Sequence, residues 1–152
     1  MSAMSAEATA SAAPRVLVID DNLIIQRTLY FQLRDHGYQV QMAGNIATGM
    51  SILRREKMDL LLLDLSFPMD AEDIGCVQQD GFFLLDWFSR TPDVSKPPII
   101  IISSTEPAQY SQRAAAAAVS ACLHKPMNKE ALLSTVQSVL GGSPTSLQAY
   151  PV

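Results

Sequence analysis

Five short apolar runs alternate along the chain with longer segments in which apolar residues recur every three or four positions. Four of the runs are continuously apolar, which predicts strands buried on both faces, and the second run alternates between apolar and polar residues, which also predicts a strand. The predicted strands are 15–19, 38–42, 59–65, 99–102 and 121–124.

The segments between the predicted strands have the period of amphipathic helices. In the first of them Ile25, Leu29 and Leu33 repeat every four residues, and the pattern stops at Gly37. Asn45 and Asn128 stand where helix N-caps are expected, because a short polar side chain can accept from the first free amides. The later helices are predicted from Asn45 to about residue 55, over 81–89, over 107–118, and from Asn128 to residue 140. Five strand–helix alternations predict an α/β doubly wound domain with a parallel sheet.

Composition narrows the class of protein. Of 152 residues, 48% are hydrophobic and 17% are charged, which excludes a disordered chain, a collagen-like repeat and a coiled coil. This length suits one domain with a sizeable core. We expect that domain over residues 15–140, between a flexible leader (1–14) rich in Ala, Ser and Thr and a flexible tail (141–152) containing Gly and Pro.

Charge and cysteine content argue against several partners and compartments. The net charge of −4 gives no reason to expect nucleic acid or anionic lipid as a partner. No apolar run approaches the ~20 residues of a membrane span, and no basic residue precedes Arg15, as a signal peptide would require. Cys76 and Cys122 lack the spacing of a disulfide framework or metal site, so we expect free thiols in a cytoplasmic protein. Cys122 is interpreted as a small buried hydrophobe, with a redox sensor as the alternative.

Polar residues collect at the carboxyl ends of the predicted strands, where doubly wound folds bind their ligands. These residues are Asp20, Asp21, Asp64, Ser103, Ser104 and Lys125. Three carboxylates brought together need a cation to remain ionised, and Mg²⁺ suits oxygen ligands with open positions. A lysine and a hydroxyl could hold a phosphoryl group, and an aspartate could be the nucleophile that carries it.

The ordered set of motifs resembles the receiver domain of bacterial two-component response regulators, of the stand-alone, CheY-like type. The matching pieces are VLVIDD (16–21), LLLLDL (60–65) with Pro68 after it, IIIISS (99–104) and CLHKP (122–126). The resemblance implies a five-stranded parallel sheet of order 2-1-3-4-5 with five helices. It also implies a phosphoprotein of a phosphorelay, in which Mg²⁺ is the cofactor and a histidine kinase or histidine phosphotransfer protein is the donor.

When the roles of the family's residues are transferred by position, the resemblance implies that Asp64 is the phosphoacceptor. It also implies that Asp21 binds Mg²⁺ directly and that Asp20 binds it through water. The backbone carbonyl of Ser66 would complete the metal site. The remaining implied roles are phosphoryl binding and switching by Ser103 and Lys125, and modulation by Ser66, Thr105 and Cys122. The bond between Lys125 and Pro126 is cis in many relatives.

The sequence departs from the family pattern at two places. Cys122 occupies the position where the family usually has Tyr or Phe, so an inward-swinging ring is not expected as the switch. The glycine usually found about eight residues after the acceptor is delayed to Gly81, which predicts an acidic insertion over residues 69–80. That insertion is interpreted as a solvated loop, or else as a lid or partner site.

The start of the first helix is the predicted docking surface for the donor. Leu23 and Ile24 fall off the stripe formed by Ile25 and its equivalents, and Arg27 lies one turn further on. An apolar patch beside the acidic residues would let a helical partner dock. The alternative is that neighbouring elements or the insertion bury the helix on two sides.

Three functions from different classes are compatible with these features. The first is a stand-alone receiver that is not an enzyme but assists its own phosphoryl transfer and dephosphorylation. Its output would pass through contacts with an unidentified protein or onward phosphotransfer, because only about twelve residues follow Leu140. The second is a pseudo-receiver that binds partners without phosphorylation. The third is a phosphatase of the haloacid dehalogenase type, which requires a second aspartate where this chain has Ser66.

Overall fold

The strands form one parallel sheet at the centre of the molecule. The structure is a computed structural model and describes residues 13–65, 81–104, 111–116 and 118–141. The strands are β1 (Arg15–Ile19), β2 (Gln39–Ala43), β3 (Leu60–Asp64), β4 (Ile99–Ser103) and β5 (Ala121–His124). Their order in the sheet is β2-β1-β3-β4-β5 and every neighbouring pair is parallel, which confirms the predicted topology.

Each strand is followed by a helix, as the alternation of patterns predicts. The helices are α1 (Leu23–Arg34), α2 (Ile46–Arg55), α3 (Gly81–Arg90), α4 (Ser111–Ala116) and α5 (Lys129–Leu140). The prediction that the fourth helix continues to Ala118 is wrong. Ala118 lies in a turn with φ of 58°, a left-handed conformation that no α-helix contains. The predicted start of this helix, at residues 107–110, lies outside the described residues.

Asparagine side chains cap three of the helices at their first turns. Asn45 Oδ1 accepts from the amide of Thr48 at 2.8 Å, and Asn128 Oδ1 accepts from the amide of Ala131 at 2.6 Å, so both predicted caps are confirmed. Asn22 caps α1, where its side chain accepts from two amides. The helix is therefore capped by Asn22 and not by Asp20 or Asp21, which precede it.

Two hydrophobic layers cover the two faces of the sheet. Alternate residues of β1 show the division, since Leu17 packs with α2 and α3 on one face while Val18 packs with α1 and α5 on the other. All five residues of β3 and of β4 are buried, which accounts for their continuously apolar sequences. With both faces covered, the residues at the carboxyl ends of the strands lie outside the two layers, and doubly wound folds bind their ligands there.

Several predictions fall on parts of the chain that lie outside the described residues. They concern Ser66, Thr105, the insertion over 69–80, residues 1–12 of the leader and residues 142–152 of the tail.

Candidate functional site

Three aspartates come together where β1 and β3 end. Asp20 and Asp21 directly follow β1, Asp64 is the last residue of β3, and the two strands are neighbours in the sheet. One carboxylate oxygen of each aspartate lies within 4.8 Å of those of the other two. Asp20 and Asp64 are buried, whereas Asp21 is exposed. The acidic cluster is thus embedded in the edge of the sheet and opens to solvent through Asp21.

Lys125 joins the cluster from the far side of the sheet. Its Nζ lies 3.1 Å from Oδ2 of Asp20 and 3.2 Å from Oδ1 of Asp64. The residue follows β5, and its long side chain reaches past β4 to the two buried carboxylates. Its bond to Pro126 is cis, as the resemblance implies. The ammonium group thus contacts two of the three carboxylates, and the formal charge of these four side chains together is negative.

The donor set of the cluster fits a hard divalent cation. Carboxylate oxygens are the ligands that Mg²⁺ prefers, and an exposed member lets the ion keep several waters. The side chain of Asp20 is already engaged at both oxygens, since Oδ1 accepts from the amide of Asn22 at 2.9 Å and Oδ2 accepts from Lys125. Asp21, whose side chain is exposed, is therefore better placed than Asp20 for direct ligation.

Ser103 lies at the same edge as the acidic cluster. It is the last residue of β4, and its predecessor Ile102 pairs with Asp64 across the sheet. The residue is completely buried, and its carbonyl accepts from the amide of Lys125 at 2.8 Å. The structure thus brings Ser103 to the strand end that also carries Asp64 and Lys125.

Cys122 is a buried residue of the sheet interior. It pairs with Ile101 of β4, has no exposed surface and forms no disulfide. Its side chain belongs to the hydrophobic layer that contains Ala114 and Val119. A thiol here packs as a small hydrophobe and supplies no aromatic ring that could swing between two positions.

The first turn of α1 presents apolar side chains to solvent. Leu23 is 63% exposed and Ile24 is 75% exposed, while Arg27 is exposed one turn later. Among the described residues no element buries these two side chains, and the part of the alternative that concerns the insertion lies outside the described residues. Phe31, two turns beyond Ile24, is also exposed and meets Tyr30 edge to face.

Two contacts near the site involve residues to which the sequence assigned no role. The side-chain amide of Gln26 donates to the main-chain carbonyl of Asp20. The Nε2 atom of His124 lies 3.1 Å from the carbonyl oxygen of Ser104. For Gln26 a signal exists in the sequence, because it is a polar residue three positions before Leu29 on the sheet-facing side of α1. For His124 we find no such signal.

Within the described residues, none of the helices combines the length and apolarity that a membrane span requires.

Comparison with known proteins gives concordant matches along most of the chain. The family model described as the response regulator receiver domain matches residues 16–137. Protein PilH of Pseudomonas aeruginosa is 28% identical over 128 residues, which cover 84% of this chain and 98% of PilH.

Solved structures with the same architecture accompany these sequence matches. The chemotaxis protein CheY4 of Vibrio cholerae superposes with a TM-score of 0.73 at 24% identity, covering 84% of this chain and 99% of CheY4. A response regulator protein of Burkholderia pseudomallei superposes with a TM-score of 0.66 at 25% identity, covering 85% of this chain and 69% of that protein. The latter structure is described as containing a phosphorylated aspartic acid, a calcium ion and citrate.

Proposed function

This chain belongs to the response regulator receiver domain family, and we propose that it receives a phosphoryl group on Asp64 from a phosphohistidine of its donor protein. The observation that carries the proposal is the position of Asp64, a buried carboxylate in contact with Lys125 and grouped with two further aspartates. The phosphorylated aspartic acid of the Burkholderia pseudomallei relative supports the same chemistry.

The proposed reaction is an in-line phosphoryl transfer. A carboxylate oxygen of Asp64 attacks phosphorus, and the N–P bond of the donor phosphohistidine breaks with its electron pair remaining on the imidazole. The product is an acyl phosphate on Asp64 and a free histidine. Lys125 is positioned to stabilise the charge of the phosphoryl oxygens, and the hydroxyl of Ser103 would donate a hydrogen bond to one of them.

Asp21 and Asp64 would hold Mg²⁺ directly and Asp20 would contribute through water, as the family pattern implies. Both carboxylate oxygens of Asp20 already accept hydrogen bonds. The carbonyl of Ser66 would be a further ligand, and that residue lies outside the described part of the chain. When bound, the ion supplies neutralisation of the negative charge between carboxylates and phosphoryl group. The calcium ion in the Burkholderia pseudomallei relative supports a divalent cation in this class of site.

The donor we propose is a histidine kinase or a histidine phosphotransfer protein that docks on the first turn of α1. Leu23 and Ile24 are exposed beside Asp21, so a helix packed on them would bring its histidine to the carboxyl edge of the sheet. Burial of these side chains favours association without demanding a particular geometry. Arg27 extends the surface with a positive charge for an acidic residue of the partner.

Signal output would then pass through protein–protein contacts or onward phosphotransfer, and Thr105 and Cys122 would modulate the site as the family pattern implies. The family match does not favour a phosphatase of the haloacid dehalogenase type. The pseudo-receiver alternative predicts no phosphorylation at all, and the experiment that follows separates it from our proposal.

Acetyl phosphate with Mg²⁺ tests the proposal by intact-protein mass spectrometry. We expect the mass of one phosphoryl group on the unchanged protein, no gain without Mg²⁺, and no gain in Asp64→Asn, because an amide cannot form the acyl phosphate. Asp59→Asn is the matched control, since Asp59 lies just before the amino end of β3 and outside the cluster. An unlabelled wild-type protein would support the pseudo-receiver, and labelling that persists in Asp64→Asn would overturn the assignment of the acceptor.

A further inference from the structure

Gln26 is a polar residue on the buried face of α1. Only 6% of its surface is exposed, and the neighbouring positions of the same face, Leu29 and Leu33, belong to the hydrophobic core. A buried amide is tolerated where it is hydrogen-bonded. The Nε2 atom of Gln26 donates to the main-chain carbonyl of Asp20, and the acceptor identifies the NH₂ end of the amide as the group that faces it.

Asp20 is held by contacts from four directions. Its amide donates to the carbonyl of Ala43 at 3.0 Å, and its carbonyl accepts from Gln26. Its carboxylate accepts from the amide of Asn22 and from Lys125. Of these contacts, the one from Gln26 acts on the peptide group that links Asp20 to Asp21.

Fixing that carbonyl also fixes the direction of the next residue. A peptide group is planar, so the orientation of the Asp20 carbonyl sets the plane in which the amide of Asp21 lies. Asp21 is exposed, and packing therefore restrains its side chain less than it restrains those of Asp20 and Asp64. Its carboxylate nevertheless lies within the acidic cluster.

The turn after β2 borders Gln26 on a second side. A Cβ atom placed on Gly44 would lie 3.5 Å from Nε2 of Gln26, which is ordinary van der Waals contact. The side-chain amide is thus enclosed between the end of β1 and this turn.

We propose that Gln26 is a positioning residue of the metal site: its amide orients the Asp20–Asp21 peptide so that the carboxylate of Asp21 is presented to Mg²⁺. The inference rests on the proposed function, in which Asp21 is a direct ligand. In this proposal Gln26 itself would contact neither the ion nor the phosphoryl group.

The test compares Mg²⁺ binding by three variants of the full chain, measured by calorimetry on the unphosphorylated protein. Gln26→Met keeps the length of the side chain and removes the donor. Gln26→His restores a ring N–H at similar reach and is uncharged at about pH 8. Gln32→Met is the matched control, because Gln32 lies on the same helix, is only half-buried and is remote from Asp20 in sequence.

We expect Gln26→Met to weaken Mg²⁺ binding about three- to tenfold, the effect of losing one buried hydrogen bond. Gln26→His should recover most of that loss, and Gln32→Met should bind as the wild type does. The rate of labelling by acetyl phosphate should fall at low Mg²⁺ and return to within about twofold of wild type at saturating Mg²⁺.

Equal Mg²⁺ affinity in wild type and Gln26→Met would overturn the inference, as would an equal loss in Gln32→Met or a labelling rate that saturating Mg²⁺ does not restore. If Gln26→Met does not fold, Gln26→Asn replaces it, because the shortened amide is withdrawn from the carbonyl while polarity is kept. Absence of Mg²⁺ binding by the wild type would instead contradict the proposed function, so the two failures are distinguishable.

Discussion

The ammonium nitrogen of Lys125 lies 3.2 Å from Oδ1 of Asp64, and the side chain of that aspartate is only 2% exposed. The proposed acceptor is therefore in contact with a positive charge before any phosphoryl group arrives. Lys125 also contacts Asp20, so a single cation serves two buried carboxylates. Removing one partner of such a buried group leaves charge without compensation, and the cost of doing so is measurable.

Lys125→Met is expected to destabilise the metal-free protein by about 3 kcal/mol, because Asp20 and Asp64 would remain buried without their counter-ion. Mg²⁺ should recover part of this loss, since the ion supplies positive charge to the same carboxylates. Urea unfolding in EDTA and in Mg²⁺ measures both effects. Lys129→Met is the control, since Lys129 is exposed at the start of α5. Equal stability of the two variants in EDTA would show that the contacts of Lys125 are not stabilising.

A change at the proposed docking surface should slow phosphoryl transfer from a protein donor but not from the small donor acetyl phosphate. The donor is a purified histidine kinase that phosphorylates the wild type. Leu23→Asp with Ile24→Asp is expected to slow transfer from this kinase about tenfold, equivalent to roughly 1.4 kcal/mol of lost docking free energy. Labelling by acetyl phosphate should not change, because a small donor needs no docking. The readouts are the two initial rates of phosphorylation.

Phe31→Asp is the control for that experiment. Phe31 is exposed on the same helix but lies about 10 Å further along its axis than Ile24, away from the carboxyl edge. We expect it to affect transfer from the kinase less than the double variant does. If the double variant loses both reactions to the same extent, Leu23 and Ile24 support the fold and do not form a docking surface.

Gly49→Ala is expected to destabilise the domain through a close approach between α2 and β1. A Cβ atom at this position would lie 2.3 Å from Cδ1 of Ile19, and Ile19 is completely buried. Overpacking of this kind costs about 1–3 kcal/mol, from which the higher helix propensity of Ala removes roughly 1 kcal/mol. Thermal or urea unfolding provides the measurement.

Ile19→Val tests whether that clash is the cause, because it deletes the Cδ1 methyl that the new Cβ would meet. Alone it should cost about 0.5–1.5 kcal/mol. Combined with Gly49→Ala it should cost less than the sum of the two single changes. Strict additivity would mean that Gly49 is required for another reason.

The conformational change on activation is expected at Ser103 and Ser104 and not at Cys122. Cys122 is buried in the sheet and carries no ring, whereas Ser104 is exposed directly after β4. Amide hydrogen exchange with and without beryllofluoride and Mg²⁺ should therefore change most in peptides beginning at Ser103. Peptides confined to β5 (Ala121–His124) should stay nearly constant.

Two variants make the exchange experiment specific. Asp64→Asn should abolish the change, because beryllofluoride requires the acceptor carboxylate. His124→Ala removes the contact between its ring and the carbonyl of Ser104, and we expect faster exchange around Ser104 in the absence of beryllofluoride. A response concentrated in β5, with Ser104 silent, would refute this prediction.

The sequence by itself determined the architecture and which residues can meet at the site. Strands such as β4 (Ile99–Ser103) are almost entirely apolar because both of their faces are covered, so the sequence pattern alone predicts their burial. Asn45 and Asn128 cap their helices through contacts a few residues away, and such local chemistry needs no knowledge of the fold. Asp20, Asp21, Asp64 and Lys125 could be grouped because parallel strands end at one edge of the sheet.

Tertiary structure alone decided the contacts made between elements that are distant along the chain. The sequence does not predict that α4 ends before Ala118. Every alanine of this segment has high helix propensity, so the position at which the helix ends depends on the surrounding packing. The exposure of Leu23 and Ile24 depends on which neighbours cover α1, and no periodicity within the helix specifies that. The contact of Gln26 with the Asp20 carbonyl likewise depends on how closely α1 lies against β1, because hydrogen bonds are directional and short-ranged while the hydrophobic pattern fixes only which face is buried.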